Sequence, residues 1–375
     1  MYWWLIPVRW RPHFLTIASF TYFVLILPRE MFFLFLLAIA VYLWGMALQQ
    51  TGTTTRRILL AAGVLLLVAD LGFFKYAHWL MDILNRFISL TGNNLSYQLP
   101  DYFIPLGISY FTFKMISYLI EIRKGTLAKH QVIDFLNYIF FFPTLISGPI
   151  ERFQPFYEQS IQEKQLQSAD LYNGLPRIFI GLFKKVVLAD SLAIVAAGLQ
   201  QPELSATAYW VATLAYTLQI YFDFSGYSDM AIGISLIFGY RIRENFRSPY
   251  FAKDLSDFWK RWHMSLTGWF RDYLFIPLGG SRVPFYRIII NTWIVMAVTG
   301  LWHGAAWHFV LWGMYHAGGL TVLRLYRRYL KPQWPEFNGR LINTTLTFLF
   351  VSIGWVWFAC DSRQAWFVIT RMFGG

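Results

Sequence analysis

Charge is scarce in this chain. Of its 375 residues only 14% are Asp, Glu, Lys or Arg, while 57% are hydrophobic. Soluble domains run at about 25% charged and 45–50% apolar, so an ordinary soluble domain is excluded and a membrane protein is indicated. There is one cysteine, Cys360. It cannot form an intrachain disulfide, and without a histidine or cation beside it in sequence to depress its pKa it is a poor nucleophile. No G-x-S-x-G, P-loop or H-E-x-x-H pattern occurs, which removes the usual marks of a serine-hydrolase elbow, a phosphate cradle and a helical zinc site. The spacings His303/His308 and His308/His316 are not the i, i+4 pair of a metal-binding helix either, so no metal is expected. The start, MYWWLIPVRWRPHF, lacks a small-residue cleavage site and is expected to remain in the mature protein.

Apolar stretches approaching the ~20 residues that cross a bilayer recur throughout. The predicted spans are 13–28, 30–48, 58–73, 103–121, 178–199, 206–222 continuing brokenly to 239, 288–302, 305–323 and 341–359. A tenth stretch, 135–150, is short and broken by Pro and Gly, and is expected to be re-entrant, with its backbone satisfied by protein or a wet cavity. The net charge of +12 is spread over loops, so nucleic acid is not expected. Arg9, Arg11, Arg56, Arg57, Arg123, Lys124, Lys129, the connection 240–287 and the cluster Arg324, Arg327, Arg328, Lys331 and Arg340 fall on one side. The positive-inside rule makes that side, with the N-terminus, cytoplasmic. No internal repeat is evident, and the whole chain is taken as one membrane domain: hairpin helices over 1–121, a core over 135–323, and a last helix within 341–375.

Polar residues invade the apolar runs only in the middle of the chain: Asp223, Ser225, Asp229, Ser235, Asn245, His263, His303, His308 and His316. Such groups at membrane depth are costly and are candidates for function. In FWKRWHMSLTGWFRDYLFIPLGGSR, 258–282, taken as a helix, Phe258, Trp259, Trp262, His263, Leu266, Trp269, Phe270 and Tyr273 share one face. The stretch reads either as an interfacial anchor with a half-buried histidine or as a site where a neutral imidazole exchanges protons. In TGLWHGAAWHFVLWGMYHA, 299–317, Gly300 and Gly304 flank His303. They permit either close helix packing or room for a ligand beside the ring. Asp223 and Asp229 lie in a third apolar stretch, as an ion pathway or as residues of a broken helix that cap N–H groups or pair with arginines of 241–247.

Together these stretches resemble the membrane-bound O-acyltransferase (MBOAT) family, in the bacterial branch that includes the alginate O-acetylation protein AlgI and the D-alanyl transfer protein DltB. The matching pieces are PLGISYFTFKMISYLIEIRKG at 105, FFPTLISGPIERF at 141, GLFKKVVLAD at 181, YFDFSGYSDMAIG at 221, ENFRSPY at 244, the stretch at 258, and TGLWHGAAWHFVLWGMYH at 299. RDYLFIPLGGSR and YFDFSGYSDMAIG look more like the AlgI side. The resemblance implies an all-α polytopic membrane protein, a ring of about nine to eleven transmembrane helices with re-entrant and interfacial helices around a central tunnel. It marks His303 and His263 as the family's two histidines, with Trp262, Ser265, Trp302, Asn245 and Asp229 expected along the path. The implied activity moves an acetyl group from a cytoplasmic thioester, acetyl-CoA or an acyl carrier protein, toward hydroxyls of an exported envelope polysaccharide such as alginate. The acceptor is met directly or through a periplasmic acetyltransferase partner. No tightly bound cofactor is expected, and the setting is the lipid of a bacterial inner membrane. D-Alanyl transfer to teichoic acid, and a transporter or flippase using Asp223 and Asp229, are the alternatives. The chain stops at RMFGG, earlier than AlgI-like relatives commonly do, as a short variant or one lacking its last helices.

Overall fold

The computed structural model describes residues 2–92, 96–162, 165–330 and 339–375. Lys331, placed above in the basic cluster, lies outside them. Among the described residues there is no β-strand. The helices are α1 (Tyr2–Leu5), α2 (Arg11–Ile26), α3 (Pro28–Gln50), α4 (Thr53–Leu90), α5 (Ile108–Lys124), α6 (Val132–Phe140), α7 (Phe153–Ser160), α8 (Ser168–Phe183), α9 (Asp190–Ala196), α10 (Ala206–Ile237), α11 (Leu255–Trp259), α12 (Met264–Phe270), α13 (Phe285–His303), α14 (Trp307–Leu325), α15 (Arg340–Ala359) and α16 (Ser362–Met372). Two compact units form, one from 1–178 with 231–243, the other from 179–230 with 244–375.

Among the described residues, four helices are long and apolar enough to cross a membrane: α3, α4, α13 and α15. Each shows exposed aliphatic and aromatic side chains, such as Phe32, Leu65, Ile294 and Leu346, which water would not tolerate in such number and lipid does. The protein is an integral membrane protein. The other predicted spans are helical but shorter or more polar, as with the 16 residues of α2 and the 17 of α5. Where 58–73 was expected, α4 runs 38 residues, about 57 Å at 1.5 Å per residue.

Local chemistry sets several boundaries. Pro28 opens α3, where its missing N–H costs nothing, and Gly125 at φ 69° closes α5 behind Arg123 and Lys124. Asp134 caps α6 by accepting from Gln131 N at 2.8 Å. The stretch 135–150 is not one helix: α6 has nine residues, followed by a single turn at Phe142–Thr144 and irregular chain. In the first unit, buried Lys114 donates to Tyr138 O at 3.2 Å and Thr144 Oγ1 at 3.1 Å, and Tyr138 Oη donates to Glu151 O at 2.9 Å. The first satisfies a carbonyl in the last turn of α6, and the last a carbonyl of the irregular chain beyond it.

In the second unit α13 and α14 form a hairpin closed by glycine. A Cβ on Gly313 would run into Met296 O, and one on Gly300 into Phe309 O. Gly313→Val should therefore force the helices apart and destabilise the protein by about 1–3 kcal/mol or more, the range for overpacking. The readout is a lowered melting temperature of the detergent-solubilised chain, and an unchanged one would contradict this packing.

Candidate active site

The stretch 258–282 does not form the single amphipathic helix its periodicity suggested. α11 ends at Trp259, and α12 begins at Met264 with His263 as its N-cap, at φ 42° and ψ 54°. A non-glycine residue in the left-handed region costs about 1–2 kcal/mol, so the surroundings must hold it there. Asn245 does most of the holding. Its carbonyl accepts from Met264 N at 2.9 Å, its Oδ1 accepts from Ser265 Oγ at 2.6 Å and Ser265 N at 3.4 Å, and its Nδ2 donates to Ser228 Oγ of α10 at 3.1 Å. Arg247 N also donates to Arg261 O at 3.0 Å. Asn245, Ser228 and Ser265 are all buried. Asn245 and Ser265 therefore fix the turn that carries His263.

This turn sets the His263 ring between two aromatic rings. Phe224 of α10 stands perpendicular to it at 4.6 Å between centroids, and Trp302 lies at 5.9 Å on another side. The residue is 2% exposed, and Nε2 has no hydrogen-bond partner among the described residues. His303, at the last position of α13, is 4.9 Å from the same Trp302 ring, with Trp312 at 5.2 Å and Phe358 at 5.0 Å. It is only half-buried. The structure thus brings His263, Trp302 and His303 together, one imidazole enclosed and one reachable, against a shared indole. Trp262 is not part of that group. It stacks on Phe258 at 5.6 Å and packs on Trp355 at 4.8 Å, in the apolar core.

His263 lies in the connection between α10 and α13. Burial pushes its pKa well below the usual histidine range, and the neighbouring His303 adds to the shift. The ring is therefore neutral at physiological pH, with one nitrogen to donate and one to accept. The unfolded chain takes up a proton here below about pH 6.5, whereas the folded one does so only at lower pH. The unfolded state then binds more protons, so this contribution to stability is complete above about 6.5 and lost as pH falls. Melting temperatures measured from pH 8 to 5 should decline below that point, and His263→Asn should flatten the decline. An identical slope in the variant would contradict the burial.

The other polar candidates separate from this group. α10 runs unbroken from Ala206 to Ile237, so the broken helix expected at 216–239 is absent. Its aspartates pair with lysines rather than with arginines of 241–247: Asp229 with Lys184 at 2.6 Å, and Asp223 with Lys185 at 2.7 Å. Both lysines sit in a π-helical turn, Lys184–Ala189, between α8 and α9. The room left by Gly304 is filled, since a Cβ there would meet the Phe309 ring; both glycines serve packing. His308 Nδ1 is hydrogen-bonded to Trp357 O at 3.0 Å. His316 is fully buried among Phe258, Trp259, Trp312 and Phe350. Burial pushes the Cys360 thiol up to about 12, which keeps it un-ionised and poorly nucleophilic. Phe224, which encloses His263, had no sequence signal beyond lying in YFDFSGYSD.

The profile of the MBOAT, membrane-bound O-acyltransferase family, matches residues 13–358. A Pseudomonas aeruginosa protein named probable alginate O-acetylase AlgI is 38% identical over 378 residues, covering 97% of this chain and 70% of its own length. A Helicobacter pylori peptidoglycan O-acetyltransferase is 34% identical over 355 residues, covering 86% of this chain and 66% of the relative. The teichoic acid D-alanyltransferase of Bacillus subtilis is 32% identical over 317 residues, covering 78% and 79%.

Proposed function

From the premise that the chain belongs to the membrane-bound O-acyltransferase family, and is an O-acyltransferase of the membrane, we propose that it transfers an acetyl group from a thioester to a hydroxyl beside His303. The donor is acetyl-CoA on the cytoplasmic side, and the acceptor is an exported polysaccharide or a periplasmic partner that passes the group on. The observation that carries this reading is the placement of two imidazoles against one indole, His263 enclosed and His303 half-open. The AlgI-named relative, matched over nearly the whole chain, favours acetyl over D-alanyl.

The chemistry asked of the site is modest and balanced. His303 takes the hydroxyl proton as that oxygen forms its bond to the thioester carbonyl carbon, and the C–S bond then breaks. The proton passes to the departing sulfur, so that ester and thiol leave with the imidazole neutral again. His263, neutral and buried, donates one hydrogen bond that polarises or orients the thioester carbonyl. Asn245 and Ser265 are positioning residues, acting through the turn at His263. Asp229 and Asp223 have no step in this scheme, their carboxylates being matched by lysines.

The test is acetyl transfer by the purified chain in nanodiscs, fed radiolabelled acetyl-CoA and a polysaccharide fragment with its periplasmic partner. Label moving to the hydroxyls is the expected result. Label moving only from a D-alanyl-loaded carrier protein would replace the acetyl reading, and no transfer from either donor would overturn both.

A further inference from the structure

The second unit contains a cavity that neither histidine lines. It measures about 160 Å³ and is walled by Trp259, Leu266, Phe270, Val295, Met296 and Leu320, with Arg271 and Arg324 also on its border. We propose that it seats one acyl chain of an anionic phospholipid of the cytoplasmic leaflet, with the headgroup phosphate held by Arg271 and Arg324.

The wall, the volume and the border of the cavity carry this. The wall is hydrocarbon in character even where its residues are polar. Thr267, Thr292 and Thr299 each donate their hydroxyl to a carbonyl nearby, Trp262 O at 3.2 Å, Ile288 O at 2.8 Å and Val295 O at 2.7 Å. They are thus spoken for within the protein. An amide-bearing chain such as pantetheine would leave its buried N–H and C=O groups unmatched there, whereas a plain hydrocarbon chain loses nothing. The volume is well below the ~300–1,000 Å³ of sites that enclose a whole small molecule, so it fits a length of chain with the head outside.

The charge on the border is of one kind. Arg324 uses Nη1 on Ile288 O and Thr292 Oγ1, leaving Nε and Nη2 for an anion. Arg271 touches Asp272 through Nε at 2.8 Å and is otherwise 66% exposed. Arg271 directly follows α12 and Arg324 lies in the last turn of α14, both at the end that the positive-inside rule assigns to the cytoplasm, where anionic lipid concentrates. α13 carries both surfaces, Ile290, Ile294 and Val298 exposed on one face and Thr292, Val295, Met296 and Thr299 lining the cavity on the other. Trp259, on the wall, keeps a buried indole Nε1 with no partner among the described residues, a donor suited to a lipid ester carbonyl.

The experiment uses the full chain in phosphatidylcholine nanodiscs containing a trace of phosphatidylglycerol with a photoreactive group at the end of one chain. Crosslinks are mapped by peptide mass. Labelling is expected on 264–275 and 292–299. It should fall about fivefold for each of Arg271→Ala and Arg324→Ala, and fall again in Val295→Trp, which fills the cavity without touching charge. Should a variant fail to fold, the headgroup comparison on the natural chain decides. Equal labelling of these peptides by a phosphatidylcholine probe means ordinary annular lipid and overturns the proposal. Displacement of the label by acetyl-CoA would also overturn it, by giving the cavity to the acyl donor.

Discussion

His303→Ala is expected to lower acetyl transfer by about 10²- to 10⁴-fold, the contribution of a positioned general base. The residue ends α13, half-open, with Trp302, Trp312 and Phe358 fixing its ring on three sides. A ring so held can accept a proton only from something that comes to its open side. Truncation removes those ring contacts, and the loss of activity is expected to exceed any loss of fold. His303→Gln, similar in polarity but unable to take the proton, should be as inactive as the alanine variant. Rates per folded molecule, with equal melting temperatures as the control, check this, and transfer at the natural rate in either variant would remove the base from the scheme.

The second large effect falls on a residue that touches no substrate in this account. Asn245→Leu should abolish transfer although both histidines remain in the sequence. The substitution removes the Asn245 acceptor of Ser265 and the donor to Ser228, and loss of hydrogen bonds between buried groups costs about 1–3 kcal/mol. It also loosens the support for the left-handed backbone at His263, itself worth about 1–2 kcal/mol of strain. The expected result is a loss of about 2–5 kcal/mol in stability, together with a His263 ring no longer set between Phe224 and Trp302. Asn245→Asp, which keeps an acceptor for Ser265 but no donor for Ser228, should fall between the natural chain and the leucine variant. Natural activity and melting temperature in Asn245→Leu would show that the turn at His263 is held by something else.

Much of the helical framework was legible in the sequence because hydrophobic run length fixes where a helix can face lipid. The predicted spans 288–302, 305–323 and 341–359 differ from α13, α14 and α15 by a few residues at most. What failed was continuity. The residues 258–273 keep a helical rhythm with no Gly or Pro at the break, so nothing local announces that the chain turns left-handed at His263. The instruction comes from Asn245, eighteen positions away, and from Ser228 on another helix. The opposite error occurred at 216–239, where polar residues suggested a break. There Asp223 and Asp229 are matched by Lys185 and Lys184 across to the neighbouring segment, and the helix persists. Long-range polar pairing decides both cases, and periodicity does not report it.

The candidate site shows the same division. His263 and His303 were singled out from sequence, and the structure sets both against Trp302. Their unequal exposure, which distinguishes a reachable base from an enclosed orienting group, depends on Phe224 and on which helices meet, and so could not be read in advance. The gap beside Gly304 likewise looked open on paper, but Phe309 occupies it.

The most direct measurement is a structure of the full chain with a non-hydrolysable acetyl thioester analogue bound. The acyl carbonyl is expected beside Trp302, with its oxygen toward His263 and a space for a hydroxyl within about 2.6–3.2 Å of the His303 ring. An analogue seated in the cavity of Trp259, Leu266 and Met296, with its carbonyl away from both imidazoles, would contradict it.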